Sequence, residues 1–181
     1  MEKEVEGGDE MEHNHEALLD QLMHDYASDL KRIAYLYVND MAESEDIIQE
    51  VFITCYKNLS KFRHEASYKT WLIRITINKC KDYRKRWTFK NLIYKSEIRK
   101  VSHEQSIEEQ HVHEEFSKEV IETIANLSWK YKEVLILFYY EEMTMKEISE
   151  TLEVSINTVK SRLLRGKASL KERLERSGIG G

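Results

Sequence analysis

The stretch TMKEISETLEVSINTVKSRLLRGKASLKERL, residues 144–174, has the layout of two short helices joined by a tight turn. Ile148 and Leu152 share one face of the first helix, Val159 and Leu163 one face of the second, and Val154 fills the turn, so all five converge on one small core. Ser155 stands where a second helix needs a cap for its free amides. The outward face of that helix then carries Asn157, Thr158, Lys160, Ser161, Leu164 and Arg165. Ser155 and Arg162 are counted with the same surface. This is a helix-turn-helix pattern. Side chains at the start of the second helix reach base edges in the major groove, and cations further along meet phosphates. Glu153 occupies a turn position that Gly often takes, so a left-handed backbone there is mildly strained.

Upstream the chain is helical throughout. Leu19, Leu22, Tyr26, Leu30, Ile33 and Tyr37 recur at spacings of three and four, and that stripe ends near Asn39 and Asp40. Ser44 is the expected cap of a second helix, with Glu45 and Asp46 at its positive end. Ile48, Phe52, Cys55 and Leu59 form its apolar face, flanked by Ile47 and Val51. Its opposite face presents Asp46, Gln49, Glu50 and Ile53. A polar loop, residues 60–67, precedes a third helix expected over 68–87, with Trp71, Leu72, Ile75 and Tyr83 as core contacts. Trp71 reads as core rather than as a stacking surface, because it shares a stripe with Ile75. Periodicity fades from Phe89 to Val112 and returns with Phe116, Val120, Ile124 and Leu127, then Tyr131, Val134, Leu135 and Phe138.

Composition agrees with an all-α fold. Proline is absent from the 181 residues and only 6 are glycine, too few for the turns of an all-β chain. The net charge of −5 hides a segregation of sign. Residues 1–25 are acidic, 79–100 basic, 104–122 acidic and 160–176 basic. Two basic patches with an acidic spacer point to two contacts with a polyanion. No apolar run approaches the ~18 residues of a membrane span, and no secretory signal opens the chain, so a cytoplasmic protein without membrane insertion is expected. Cys55 and Cys80 belong to no metal-spaced cluster and read as buried thiols. His111 and His113 fall in the expected linker, with no HExxH, P-loop or nucleophile elbow anywhere. No catalytic residue, metal or cofactor is expected.

Two further stretches sharpen this reading. SEDIIQEVFITCYKNLSKF (residues 44–62) with SYKTWLIRITINKCKDYRKR (67–86) resembles region 2 of the sigma-70 family, in its extracytoplasmic-function group. LSWKYKEVLILFYYEEMTMKEISETLEVSINTVKSRLLRGKASL (127–170) resembles region 4 of the same group. Residues 1–15, polar, acidic and Gly-containing, read as a disordered tail; the resemblance implies region 2 over 16–92, a linker over 93–114 and region 4 over 115–178. It implies that Asp46, Gln49, Glu50 and Ile53 dock on a coiled coil of core RNA polymerase. Phe62, Arg63, Tyr68, Lys69 and Asn78 would capture the −10 promoter element, Asn78 by holding a flipped base, with Lys79, Lys81, Arg84, Lys85 and Arg86 on phosphates. Lys160, Ser161, Leu164 and Arg165 would face the −35 element, with Ser155, Asn157, Thr158 and Arg162 beside them. Glu142 and Glu153 stand where relatives often carry Gly. The resemblance also implies control by an anti-sigma factor, often membrane-anchored. A conventional regulator with a sensor domain, which would dimerise, an enzyme, and an adaptor that binds polymerase without promoter preference are the competing readings.

Overall fold

The structure is a computed structural model that describes residues 3–93 and 118–176. The described residues are helical, with no strand among them. Three long helices form an N-terminal unit: α1 (Lys3–Val38), α2 (Met41–Asn58) and α3 (Tyr68–Ile93). Four short ones form a C-terminal unit: α4 (Lys118–Ala125), α5 (Trp129–Leu135), α6 (Met145–Leu152) and α7 (Ile156–Arg176). A single π turn, Ile136–Tyr140, extends α5 and lets Ile136 and Leu137 both face inward. The expected linker beyond Ile93, with Lys95, Arg99, Lys100, His111 and His113, lies outside the described residues.

α1 begins earlier than expected, within the stretch read as an unstructured tail. That stretch lacks proline and is rich in Glu, a good helix former. The helix stops where the stripe stops. Asn39 takes the left-handed conformation (φ 55°), which its short polar side chain tolerates, and its N–H donates to the Tyr35 carbonyl at 2.7 Å. Asp40, not Ser44, then caps α2: its carboxylate accepts from the Glu43 N–H at 3.0 Å. Ser44 lies one turn further in, buried, and its hydroxyl donates to the Asp40 carbonyl at 2.6 Å. The chain turns at Asn39, so the acceptor immediately after it captures the orphan amides first.

Leu30, Ile33, Val51, Phe52, Cys55, Leu72 and Ile77 fill the N-terminal core. The buried arc of α3 is wider than its sequence stripe. Leu72, Ile73, Thr76, Ile77 and Cys80 are buried, while Trp71, Ile75 and Tyr83 are only half-buried. The reason is that α3 packs on α1 and α2 along one side and on α6 along another. α1 likewise touches α4. The two units therefore share one continuous apolar core, in which Tyr37 meets Trp129 edge-on at 4.8 Å.

Candidate nucleic-acid interface

The outward face of α2 is polar with two large apolar exceptions, Ile53 and Tyr56. Asp46 and Gln49 are exposed, and Ile53 is 53% exposed, in line with them. Glu50 turns aside to α3, 3.3 Å from Lys79 and 3.6 Å from Arg86. These half-exposed pairs each contribute at most about 1 kcal/mol, but they fix the angle between the acidic face of α2 and the basic stretch of α3.

A 3₁₀ turn, Leu59–Lys61, leads α2 into the loop. Phe62 then lies against both Tyr68 and Trp71, with ring centroids 4.6 and 4.7 Å away and planes inclined by 28° and 29°, and those two rings are 6.5 Å from each other. His64 meets Phe62 edge-on at 4.8 Å. Ser67 caps α3 through the Thr70 N–H at 3.1 Å, which pins the loop to the helix. Trp71 thus belongs to an aromatic stack at the head of α3 as well as to its apolar side. Beside the stack opens a cavity of about 370 Å³, walled by Asn58, Lys61, Phe62, Arg63, Trp71 and Arg74 among others. Its wall combines the donors of Lys61, Arg63 and Arg74 and the Glu65 carboxylate with the aromatic surface of Phe62 and Trp71, a combination that suits a planar, polar-edged group. Asn78 does not line it; that side chain is exposed further along α3.

The cations of α3 are mostly engaged. Lys69 pairs with Glu141 at 2.9 Å, and the bond to that carboxylate raises the ammonium above its ordinary range. Lys81 reaches Glu133 at 3.0 Å. The Arg84 guanidinium lies over the Trp129 ring at 5.4 Å. Lys85 pairs locally with Asp82 at 3.3 Å. Arg63, in the loop, is exposed beside Glu65. The sequence reading did not foresee Arg74, whose guanidinium donates to the Glu150 carbonyl at 2.6 Å and sits 3.9 Å from Glu153. Nor did it foresee Lys132 and Glu133 in the interior. Lys132 donates to the Tyr37 and Ala125 carbonyls, both at 2.9 Å. Burial, with Arg84 nearby, pushes its pKa down to about 8. Burial pushes the Cys55 and Cys80 thiols up to about 11 and about 12, so neither is a poised nucleophile.

The C-terminal motif folds as its spacing dictates. Thr144 and Glu147 form a reciprocal capping box at the start of α6, with the Thr144 N–H donating to the Glu147 carboxylate at 2.8 Å. Glu153 is left-handed (φ 55°, ψ 44°), and Glu142 is left-handed too (φ 52°). The Ser149 carbonyl accepts from the Val154 N–H at 3.1 Å, which closes the turn. Ser155 caps α7 through the Thr158 N–H at 3.1 Å. Ile148, Val159 and Leu163 are buried, and Gly166 lets α7 approach α5 so closely that a Cβ there would stand 3.2 Å from Leu135. Asn157, Lys160, Ser161 and Arg165 are exposed, and Leu164 is 71% exposed. Arg162 departs from the expected surface. Its guanidinium turns inward to Glu133 at 2.7 Å, because its position lies on the shoulder between Val159 and Leu163.

The chain matches two family models, Sigma-70 region 2 over residues 22–88 and Sigma-70, region 4 over residues 117–170. It is 31% identical to the ECF RNA polymerase sigma factor SigW of Bacillus subtilis (strain 168), over 82% of this chain and 84% of SigW. It is 33% identical to the RNA polymerase sigma factor SigZ of the same organism, over 87% of each. Among solved structures, the fold is similar to the sigma factor RpoE in complex with the anti-sigma factor NepR from Bartonella quintana. That likeness has a TM-score of 0.72 at 17% identity and covers 86% of this chain and 96% of RpoE.

Proposed function

The chain belongs to the sigma-70 family of RNA polymerase sigma factors, in its extracytoplasmic-function group, and on that footing we propose how its surfaces divide the work of transcription initiation. Sigma factors bind core RNA polymerase and promoter DNA. Here Asp46, Gln49 and Ile53 on α2 form the polymerase-docking face: polar groups beside the exposed Ile53 side chain, suited to a basic helical partner. Glu50 sits at the edge of that face and orients α3. The loop and α3 take the −10 element. Bases inside a duplex are hidden, so a melting factor must trap them as they unstack. The Phe62–Tyr68–Trp71 stack offers the planar surface, the cavity beside it a polar pocket, and Arg63 a cation at its mouth. Asn78 offers an amide that both donates to and accepts from a base edge. Lys69, Lys79, Lys81, Arg84, Lys85 and Arg86 follow the backbone.

α7 takes the −35 element. Asn157, Lys160, Ser161, Leu164 and Arg165 face the groove, while Ser155 and Thr158 present the amide-rich helix start to a phosphate. Arg162 holds the helix on Glu133 rather than touching DNA. The factor does no covalent chemistry; polymerase supplies the catalytic site and sets the spacing of the two DNA contacts, raising the effective concentration of the second. It acts in the cytoplasm, and an anti-sigma factor restrains it, as the complex of the structurally similar RpoE with NepR supports. The observation that carries this reading is the order along one chain of an aromatic-walled cavity with a basic helix behind it, then a helix-turn-helix with an exposed polar face.

The test is reconstitution. Core polymerase with this protein, transcribing fragments of the source genome, should yield new 5′ ends that share two spaced sequence elements. New ends without a common element would support an adaptor instead.

A further inference from the structure

A second cavity takes no part in the promoter roles. It lies at the junction of the two units, has a volume of about 510 Å³, and is walled by the end of α1, the C-terminal part of α3 and the start of α5. Small-molecule sites run from about 300 to 1,000 Å³, so it has room for a ligand of one or two rings. Its lining is of two kinds. Tyr83 and Trp87, one turn apart on α3, give planar surface, and Trp87 is 55% exposed. The polar groups are mostly donors. Arg84 pairs with no carboxylate among the described residues; its guanidinium lies over the Trp129 ring at 5.4 Å. Lys132, only 5% exposed, gives two of its three N–H groups to the Tyr37 and Ala125 carbonyls. The Trp129 indole N–H is buried without an acceptor. Asp40, the one carboxylate among the described lining residues, is engaged in capping α2, where it accepts from the Glu43 N–H at 3.0 Å.

We propose that this cavity is a binding site for a small planar aromatic carboxylate, its rings against Tyr83 and Trp87 and its carboxylate toward Arg84 and Lys132. A guanidinium and a carboxylate match through two parallel hydrogen bonds, which orients the ligand. Burial and the neighbouring Arg84 both disfavour the charge of Lys132, and an anion beside the two cations offsets their repulsion. With one more cation than carboxylate in the lining, the site suits a monoanion over a doubly charged phosphate. Both units supply walls, so occupancy stabilises the arrangement of the units that forms the site. The site is independent of which promoter element either unit reads.

The probe is naphthoate, titrated into the full-length protein by isothermal calorimetry, with naphthalenemethanol as its uncharged counterpart and adenosine monophosphate as the phosphate. Naphthoate is expected to bind at one site about tenfold more tightly than the alcohol, the difference being the charge-assisted contact. Arg84→Gln should bring the acid down to the affinity of the alcohol. Trp87→Ala should weaken both about fivefold. Arg86→Gln, the same charge change on the side of α3 that faces Glu50, should alter neither. No binding of naphthoate at millimolar concentration, equal affinity for acid and alcohol, indifference to Arg84→Gln, or tighter binding of adenosine monophosphate overturns the proposal. Should Arg84→Gln melt below the wild type, the exposed Trp87→Ala variant decides alone, and unchanged naphthoate affinity there overturns the site.

Discussion

α3 and α7 both carry a run of cations along a helix, yet those cations meet different fates. The cations of α7 that face away from its core, Lys160 and Arg165, are exposed. On α3, Lys69, Lys81 and Arg84 are met by carboxylates and an aromatic ring of the opposite unit, while Lys79, Lys85 and Arg86 pair within their own. The difference teaches that a basic stripe specifies a surface, whereas its availability depends on what the rest of the chain places against it. Glu133 joins the two cases. One oxygen holds Arg162 of its own unit and the other lies by Lys81 of the other.

The largest effect should come from that residue. Glu133→Ala leaves two part-buried cations facing an emptied site and should cost about 3–5 kcal/mol, read by chemical denaturation. Loss of under 1 kcal/mol would show that the pairs are solvated and the contrast between the helices is small. The pH dependence of Lys132 comes next. Its proton leaves near pH 8 in the folded protein, against an ordinary 10.5, because burial and Arg84 disfavour the charge, Cys80 alone opposing them. Through Lys132 the unfolded chain binds more protons than the folded one above pH 8 and stability rises, until near pH 9 the buried Cys55 and Cys80 thiols, which keep their protons only in the folded protein, begin to act in the opposite direction. A neutral amine still has two N–H groups for the Tyr37 and Ala125 carbonyls. Thermal melts at pH 7.5 and 8.5, below the ordinary thiol range, should show the midpoint rising in the wild type by more than in Lys132→Met; an equal change in the two sinks the assignment.

On the open helix the effects are on binding. Lys160→Ala with Arg165→Ala should weaken duplex binding about tenfold and flatten its salt dependence by about two units of slope, leaving the melting point unchanged. Glu153→Gly relieves a left-handed backbone and should stabilise the C-terminal unit by about 0.5–1 kcal/mol, the weak Arg74 pair offsetting part of the gain.

Much of this was legible. The bounds of α6, the start of α7 and the left-handed Glu153 follow from local spacing and turn chemistry, which depend on neighbours within a few positions. The inward face of α2 was legible for the same reason. The cap at Asp40 was missed because two acceptors compete and the turn at Asn39 decides between them. The phase of α3 was read too narrowly because a stripe reveals one packing partner and α3 has two. Arg162 looked like its exposed neighbours, since its partner lies 29 residues away. The contacts of Arg74 with Glu150, 76 residues apart, and of Lys132 with Tyr37, 95 apart, leave no periodic trace at all.

The central claim is that α3 and α7 read two different promoter elements. It is tested most directly by transcription from a randomised promoter library with reconstituted holoenzyme, sequencing templates and 5′ ends. Asn78→Ala should relax base preference in the downstream element alone, and Lys160→Ala with Arg165→Ala should weaken use of the upstream element alone. If both variants alter the same element, or if both leave every preference intact while transcription continues, the division of labour between the two helices is wrong.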